Sequence, residues 1–472
     1  MNGGTRDPLA RLSQIVDRAW VVGGALRDRL LGRPTLDYDV ALDGQPKTVA
    51  RLLARVASGH AFELSEGFGM WRVVARDRSW QIDLLPLAGP TIEADLAHRD
   101  LTVNAIAQDV RGGQLIDPFG GVRDLEDRRL RMVSPGAFTA DPLRVLRLAR
   151  LAIELDFAVD PDTARTAVLN ASRLAGVAPE RVFAELKRIV GSERAVEGVR
   201  LLDELAIAPV VLPELGALHG VEQSRFHHLD VYEHTLAVLG ETIELERDPE
   251  RSLGAHAAAV SEFLSQPLAN ELTRWQALRL GALLHDIAKP QTRDVTAEGR
   301  VTFIGHDAAG SQTASAVLTR LRASERLTEH VAALARNHLR LGFLVHEMPL
   351  SRRTIYRYLR ACEPVQVDVT VLSVADRLAT KGDRSAEAIA KHLELADQML
   401  GEALAWIADP PRPPLRGDEL ARRLQLCPGP ELGRILTELE EASFAHEIGS
   451  PEEAVERARQ LLAEGSVGSP RR

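Results

Sequence analysis

Up to about residue 133 the chain alternates short apolar runs with polar breaks marked by glycine and proline: AWVVGG, YDVALD, WRVVARD, WQIDLLPL, AIAQDV and LIDPFG. Runs of about four to eight residues bounded in this way predict strands, with helices in the amphipathic stretches between them. From Pro135 the period changes. PLRVLRLARLAIEL and PERVFAELKRIV place apolar residues three and four apart, the spacing of a helix with one buried face. Asp160-Pro161-Asp162 predicts a turn opening the next helix, and Gly191-Ser192 and Pro209 to Pro213 separate further ones. DPPRPPLRG, Asp409 to Gly417, is too proline-dense to continue a helix and predicts a linker. SLGAHAAAVSEFLSQ, within residues 247–270, predicts a helical insertion or a loosely packed segment, and SVGSPRR a disordered end. The fold class is therefore α+β and multidomain: a small mixed α/β head over 1–134, helices over 135–219, a histidine-bearing helical region over 220–390 and a helical tail over 391–472.

Composition narrows this picture only a little. At 472 residues the chain is too long for one ordinary core, and 45% hydrophobic with 26% charged residues is globular. No run of about 18 uninterrupted apolar residues occurs, so no membrane span is expected. MNGGTRDPLARLSQ lacks the apolar core of a secretion signal. Two cysteines, Cys362 and Cys427, fit a reducing compartment, and the expected location is cytoplasmic. A net charge of −9 disfavours indiscriminate nucleic-acid binding, but arginine is locally dense. Arg123, Arg128, Arg129, Arg131, Arg144, Arg147 and Arg150 form one cluster; Arg352, Arg353, Arg357 and Arg360, interleaved with Tyr356 and Tyr358, form another. Each reads either as a solvated helix face or as a basic patch.

The chemistry starts at VVGGALRDRLLGRPTLDYDVAL, Val21 to Leu42. On a strand, residues i and i+2 face the same way, so Asp37 and Asp39 project together. Two like charges this close are costly unless cations neutralise them. Mg²⁺ takes carboxylate oxygens and keeps positions open for phosphate. In two-metal sites, ions about 3.5–4 Å apart clamp the attacking and leaving oxygens of phosphoryl transfer. Asp83 in WQIDLLPL is the candidate third carboxylate. Gly23 and Gly24, between a strand and a helix, can bring backbone N–H groups against a triphosphate. Arg27 can pair with phosphate, and Asp28 with Arg27 or a sugar hydroxyl.

GGALRDRLLGRPTLDYDVAL, RDLTVNAIAQD (Arg99 to Asp109), LIDPFGGVRDLEDRRLR and DPLRVLRLAR (Asp141 to Arg150) resemble, in order and spacing, the successive motifs of the class II bacterial tRNA nucleotidyltransferase and poly(A) polymerase family. RGDELARRLQLCPGPELGRILTELEEA resembles that family's tRNA-binding C-terminal region. The resemblance covers nearly the whole chain. It implies a polymerase-beta-like mixed-sheet head, an all-α neck, and addition of CMP, with or without AMP, to the tRNA 3′ end from CTP and ATP. It further implies that Asp37 and Asp39 bind Mg²⁺, beside which Asp83 stays the candidate third catalytic carboxylate. Gly23, Gly24, Arg27 and Asp28 would handle triphosphate and ribose, and Arg99, Asp100 and Asn104 sugar and phosphates. Asp141 and Arg144, at i and i+3 on one helix face, would read the incoming base, with Arg147 on the same helix. An arginine donor fork and an aspartate acceptor suffice to tell C or A from G or U.

Two departures from the family pattern stand out. Many relatives have Glu before the base-reading Asp, where this chain has Ala140. The connection from Asp83 to Asp95, LLPLAGPTIEA, has only eleven residues. Relatives that add the terminal A usually carry a longer loop there, and relatives that add only CC a shortened one. A CC-adding enzyme is thus one alternative. A poly(A) polymerase is a second, and a phosphohydrolase with a nucleotide-binding head a third.

That third alternative arises from VYEHTLAVL, GALLHDIAKP, FIGHDAAGS, ARNHLRLG and SVADRLATKG, in that order. His234, the adjacent pair His285-Asp286, and Asp376 resemble the ligand set of the HD superfamily of metal-dependent phosphohydrolases. The resemblance implies a divalent ion at those four residues, with His306 and His338 where binuclear members place further ligands. Lys289, beside the pair, would meet a substrate phosphate or solvent.

Overall fold

The computed structural model describes residues 7–65, 69–223, 229–380 and 385–467. Of the SVGSPRR end, residues 468–472 lie outside the described residues, while Ser466 and Val467 close the last helix, Pro451–Val467. The chain divides into two compact units, 1–211 and 212–472.

The first unit is built on one six-stranded sheet. Its strands are β1 (Ala19–Val22), β2 (Asp37–Leu42), β3 (Gly59–Ser65), β4 (Met70–Ala75), β5 (Gln81–Pro86) and β6 (Ala107–Asp109), in the spatial order β3-β4-β5-β2-β1-β6. Neighbours are antiparallel except β2 and β5, which run parallel, so that Asp39 stands opposite Asp83. Asp39 also pairs in register with Val22, the last residue of β1. The AWVV strand is buried along its whole length, and Trp20, Val22, Ala41, Ile92, Leu96, Ala105 and Ala107 form the core under this end of the sheet. β3 was invisible to periodicity because it is an edge strand with Phe62 and Leu64 exposed, so neither face imposes an alternation.

LIDPFG, expected as a strand, is not one. Ile116 makes a single bridge to Ala107, and Asp117 then turns to accept the N–H groups of Gly121 and Val122 at 2.7 and 2.9 Å, capping the helix Gly121–Glu126. Gly121 has to be glycine, since a Cβ there would lie 2.1 Å from the carbonyl oxygen of Thr102. The same helix buries Asp124, which accepts from Thr102 Oγ1 at 2.6 Å and from Arg129 and Arg131 at 2.7 and 3.0 Å. Burial raises the Asp124 pKa, but these three donors outweigh it and hold the carboxyl below its ordinary range. A depressed folded-state value supplies stability above about pH 4 that is lost as pH falls further. Asp124→Ala is expected to cost about 2–3 kcal/mol in denaturant unfolding at pH 7, because both guanidiniums keep partial access to water. The deficit should shrink at low pH.

Helices Leu143–Leu155, Pro179–Val190 and Ala195–Glu204 pack together beyond the sheet in this unit. Asp160 caps the helix Pro161–Asn170 through the Thr163 N–H, as the Asp-Pro-Asp turn predicts.

The second unit is helical. Val231–Arg247, Arg274–Leu284, Glu325–Asn337 and Gln366–Ala379 pack around its core, and His306–Arg320 packs on Glu325–Asn337. Ser385–Ala408 runs through residue 390, so the division expected there falls inside a helix. Residues 409–416 then lead to the last three helices, which share their own apolar cluster of Leu420, Ile435, Leu439 and Ala458 among others. The 247–270 segment contains the helix Ala257–Leu264 and the first strand, Pro267–Ala269, of a small hairpin completed by Leu272–Thr273, and is held to Ser385–Ala408 by the Ala255 N–H on Asp397 at 2.9 Å. In the second arginine cluster the guanidiniums are paired with acids, while Arg357 and Arg360 remain exposed on the helix face. Arg353 forks onto Glu447 at 2.7 and 2.8 Å and reaches Glu438 at 3.0 Å, Arg357 meets Glu441 at 2.8 Å, and Arg352 meets Glu402. Among the described residues, no helix is long and apolar enough to cross a membrane.

Candidate functional site

In the head, the antiparallel β1–β2 pair and the parallel β2–β5 pair bring the glycine turn and the carboxylates to one place. β1 ends at Val22 and the helix Gly23–Leu30 starts at once, with Gly23 at φ +68°. A Cβ on Gly23 would lie 3.0 Å from both Asp39 Oδ2 and Arg99 Nη1. A side chain would therefore be strained, by the left-handed φ and by crowding, where the turn, a carboxylate and a guanidinium meet. Asp37 is exposed at the start of β2 and Asp39 half-buried. Burial raises the Asp39 pKa, Asp83 and Asp37 raise it further, and Arg99 opposes them. Such carboxylate crowding is what a divalent cation relieves, and the donor set fits Mg²⁺.

Sequence reasoning missed the partner of Asp83. Arg72, across from it on β4, binds it bidentately with both N–O distances 2.7 Å. The available signal was a polar residue inside the apolar alternation of MWRVVA.

Arg27, Asp28, Asn104, Asp100 and Arg147 form one continuous polar chain. Arg27 Nε donates to Asp28 at 2.9 Å and its Nη1 to Asn104 Oδ1 at 2.8 Å. Asn104 Nδ2 donates to Asp100 Oδ1 at 3.0 Å, and Arg147 Nη1 donates to Asp100 Oδ2 at 3.2 Å. Burial raises the Asp100 pKa, but Arg147, Asn104 and the Leu101 N–H outweigh it and keep the carboxylate charged. Arg147 continues towards Glu185, 3.6 Å away on the helix Pro179–Val190.

Asp141 and Arg144, the pair expected to read the base, do not share a helix face as their spacing suggested. Asp141 is extended, with φ −144°, ahead of the helix Leu143–Leu155, and accepts the Leu143 N–H at 3.2 Å. Its other oxygen accepts from Arg181 at 2.9 Å, a residue no motif singled out. With Ala140 where many relatives have Glu, Arg144 is held by backbone instead. Arg144 donates to the carbonyls of His98 at 2.7 Å and Ala137 at 3.3 Å. In the first arginine cluster Arg129 and Arg131 serve Asp124, and Arg150 pairs with Glu154 and Glu185.

The second unit brings all six of its expected residues together in two adjoining groups of three: His234, His285 and Asp376, and Asp286, His306 and His338. His234 Nε2 lies 2.9 Å from Asp376 and 3.8 Å from Asp286. Asp286 Oδ2 is 3.1 Å from His285 Nε2, and its Oδ1 is 3.3 and 3.7 Å from the Nε2 atoms of His306 and His338. His285, His306 and His338 each place Nδ1 2.7–2.8 Å from a carbonyl three residues back, which takes the ring proton and leaves Nε2 as a lone pair facing the cluster. His285 Nε2 and Asp286 Oδ1 are buried without a hydrogen-bond partner. Burial and the neighbouring His285 push His338 down to about 4, so it is neutral at physiological pH. Burial would push His285 down as well, but Asp286 outweighs it. These orphaned donor atoms fit a divalent metal. Lys289 lies 2.6 Å from Asp286 Oδ2 and donates to Gln223 at 2.8 Å, so it is neither solvated nor free. A cavity of about 500 Å³ opens onto the cluster, with Arg377 and Phe343 in its wall.

Residues 19–131 match the poly A polymerase head domain family, 156–218 the family described as "Probable RNA and SrmB-binding site of polymerase A", and 231–381 the HD domain family. An A-adding tRNA nucleotidyltransferase of Deinococcus radiodurans is 38% identical over 443 residues, covering 92% of this chain and 94% of its own. A CC-adding tRNA nucleotidyltransferase of Thermus thermophilus is 36% identical over 446 residues, 92% of each chain. Among solved structures, a CCA-adding enzyme in complex with CTP superposes with a TM-score of 0.63 at 19% identity, over 97% of this chain and 99% of that one. The Thermotoga maritima CCA-adding enzyme complexed with tRNA gives 0.59 at 19% identity, over 96% and 94%.

Proposed function

Because the chain belongs to the bacterial tRNA nucleotidyltransferase family, we propose that it extends the 3′ end of tRNA with cytidines from CTP and stops before the terminal adenosine. The tRNA 3′-oxygen attacks the α-phosphorus of CTP, the bond to the β-phosphate breaks, and pyrophosphate leaves. Asp37 and Asp39 hold Mg²⁺, which when bound neutralises phosphate charge and lowers the pKa of the attacking hydroxyl. Asp83 completes the carboxylate set, and Arg72 fixes its plane. The Gly23 turn admits the triphosphate, Arg99 faces it, and Arg27 and Asn104, braced by Asp28 and Asp100, orient the sugar. Asp141 and Arg144 read the base, steadied by Arg181 and by the two carbonyls. The helical parts grip tRNA by backbone and shape. In the second unit His234, His285, Asp286 and Asp376 would hold a divalent ion, with His306 and His338 able to take a second, and that ion would supply an activated water for phosphoester hydrolysis in the adjoining cavity.

The observation that carries the cytidine reading is the loop. The connection between β5 and the helix Ile92–Ala97 is only residues 87–91, and it is tied down by the Ala88 N–H on Asp95 at 3.0 Å. Switching a pocket from CTP to ATP requires movement that so short and anchored a connection resists. Three tRNA transcripts, lacking CCA, ending in C and ending in CC, offered CTP, ATP or both, provide the test. The first should gain two cytidines and the second one, and the third should gain nothing. Completion to CCA overturns the cytidine limit, ATP addition to the CC transcript alone makes this an A-adding enzyme, and long A tails on any RNA make it a poly(A) polymerase.

A further inference from the structure

The helix Gln366–Ala379 is buried along most of its length, yet it turns one polar stripe to the cavity beside the histidine cluster. Ser373, Asp376 and Arg377, with Thr380 just past the helix end, follow one another at i, i+3, i+4 and i+7, the spacing of a single face. Three of the four are committed. Ser373 Oγ lies 3.2 Å from His392 Nε2, Asp376 Oδ1 lies 2.9 Å from His234 Nε2, and Thr380 Oγ1 donates to the Asp376 carbonyl at 3.0 Å. The Arg377 side chain makes no hydrogen bond or ion pair among the described residues, and its Nε is buried without a partner. Lys289, a cation in the same cavity wall, is taken up by Asp286 and Gln223. A desolvated guanidinium with no counter-charge is costly, and one lining a cavity of about 500 Å³ has room for an anion.

We propose that Arg377 is a specificity-determining residue that binds a phosphate oxygen of the substrate and selects phosphomonoesters over phosphodiesters in the second unit. The inference rests on the phosphohydrolase reading of that unit. A monoester phosphate carries close to two negative charges and three oxygens free of organic groups. A diester has one charge fewer, and a second organic group occupies one of those oxygens. Part of the charge is met at the histidine cluster. The remainder needs a donor outside it, and a planar guanidinium fork suits a phosphate group. A diester would set its second organic group against Arg377 and leave the buried Nε unpaired. In the hydrolysis, the bond from phosphorus to the ester oxygen breaks and the oxygen of water joins phosphorus. One proton of that water goes to the leaving alcohol and the other stays on phosphate, so inorganic phosphate is the product that Arg377 still holds.

The test titrates inorganic phosphate into the whole enzyme by calorimetry and follows hydrolysis of p-nitrophenyl phosphate and bis(p-nitrophenyl) phosphate. Parent, Arg377→Gln and Arg377→Lys are compared, each with its melting temperature. The parent should bind phosphate and cleave the monoester in preference to the diester. Arg377→Gln should weaken phosphate binding about 10- to 100-fold, the loss expected for one charged hydrogen bond. Its monoester-to-diester ratio of kcat/KM should fall at least about tenfold. Arg377→Lys, which keeps the charge but not the fork, should recover part of both. Unchanged phosphate binding in Arg377→Gln, or equal losses on the two esters, would overturn the proposal and leave Arg377 to the fold alone. A parent that prefers the diester would overturn it as well. A parent that binds phosphate through Arg377 but cleaves neither ester would overturn the hydrolase reading and the selectivity built on it, leaving an anion site. A parent that hydrolyses while Arg377→Gln matches it in every measurement would overturn the role of Arg377 alone.

Discussion

Asp39→Asn is expected to abolish nucleotide addition, lowering the rate on a CCA-less tRNA transcript by about 10³-fold or more without loss of fold. The magnitude corresponds to about 4 kcal/mol of transition-state charge stabilisation, the contribution expected of a metal-bound carboxylate. Stability should move the other way. Asp39 shares its end of β2 with Asp37 and faces Asp83 across the parallel pair, and burial and both neighbours disfavour its charge. An uncharged isostere relieves that repulsion, so the melting temperature of the metal-free protein should stay level or rise. Single-nucleotide extension and a thermal melt on the same preparation read both effects. Activity that survives the substitution would remove the two-aspartate mechanism and transfer the chain's chemistry to its second unit.

The second large effect is expected at Asp286. Its two oxygens face both halves of the histidine cluster, with Oδ2 beside His285 and Oδ1 beside His306 and His338. Substitution of groups that merely support metal ligands weakens binding by about 10–100-fold, and a ligand shared by both halves should exceed that. Asp286→Asn should therefore lose stoichiometric divalent metal from the second unit, measured by elemental analysis after dialysis, together with any phosphoester hydrolysis. CTP addition by the first unit should be unchanged. Full metal content in this variant would show that His234, His285 and Asp376 suffice, and would reduce Asp286 to a partner of Lys289.

The head motifs were legible because their chemistry is local. Asp37 and Asp39 lie two residues apart on a strand, and Gly23 stands directly after β1. The histidine cluster was legible for the opposite reason: its members are far apart, but each is an unusual residue in an apolar helical setting. The missed residues are ordinary arginines and acids whose importance comes from what the fold places beside them. Arg72 gains its role from the β4–β5 pairing, Asp95 from a short loop folding back, and Arg181 from a helix about forty residues after Asp141. The helix-face reading of Asp141 and Arg144 failed because Pro142 occupies the N-cap, which leaves Asp141 outside the helical geometry that the spacing assumed. LIDPFG failed because Asp117 spends its carboxylate on capping a helix, a competitor that a hydrophobicity pattern does not register.

The polar chain that ends at Arg147 bears on how this protein can be taken apart and recombined. Asp100 belongs to the sheet-bearing portion, but its cation is supplied by a helix that begins at Leu143. A fragment cut near residue 134 would lose the counter-ion of a carboxylate that is buried in the whole chain, a defect of about 3–5 kcal/mol where the site stays covered and smaller where water reaches it. Grafting that portion onto another RNA-binding partner would import the same defect unless the new partner carried an arginine in the equivalent place. The natural unit of transplantation is therefore residues 1–211, the sheet together with its adjoining helices.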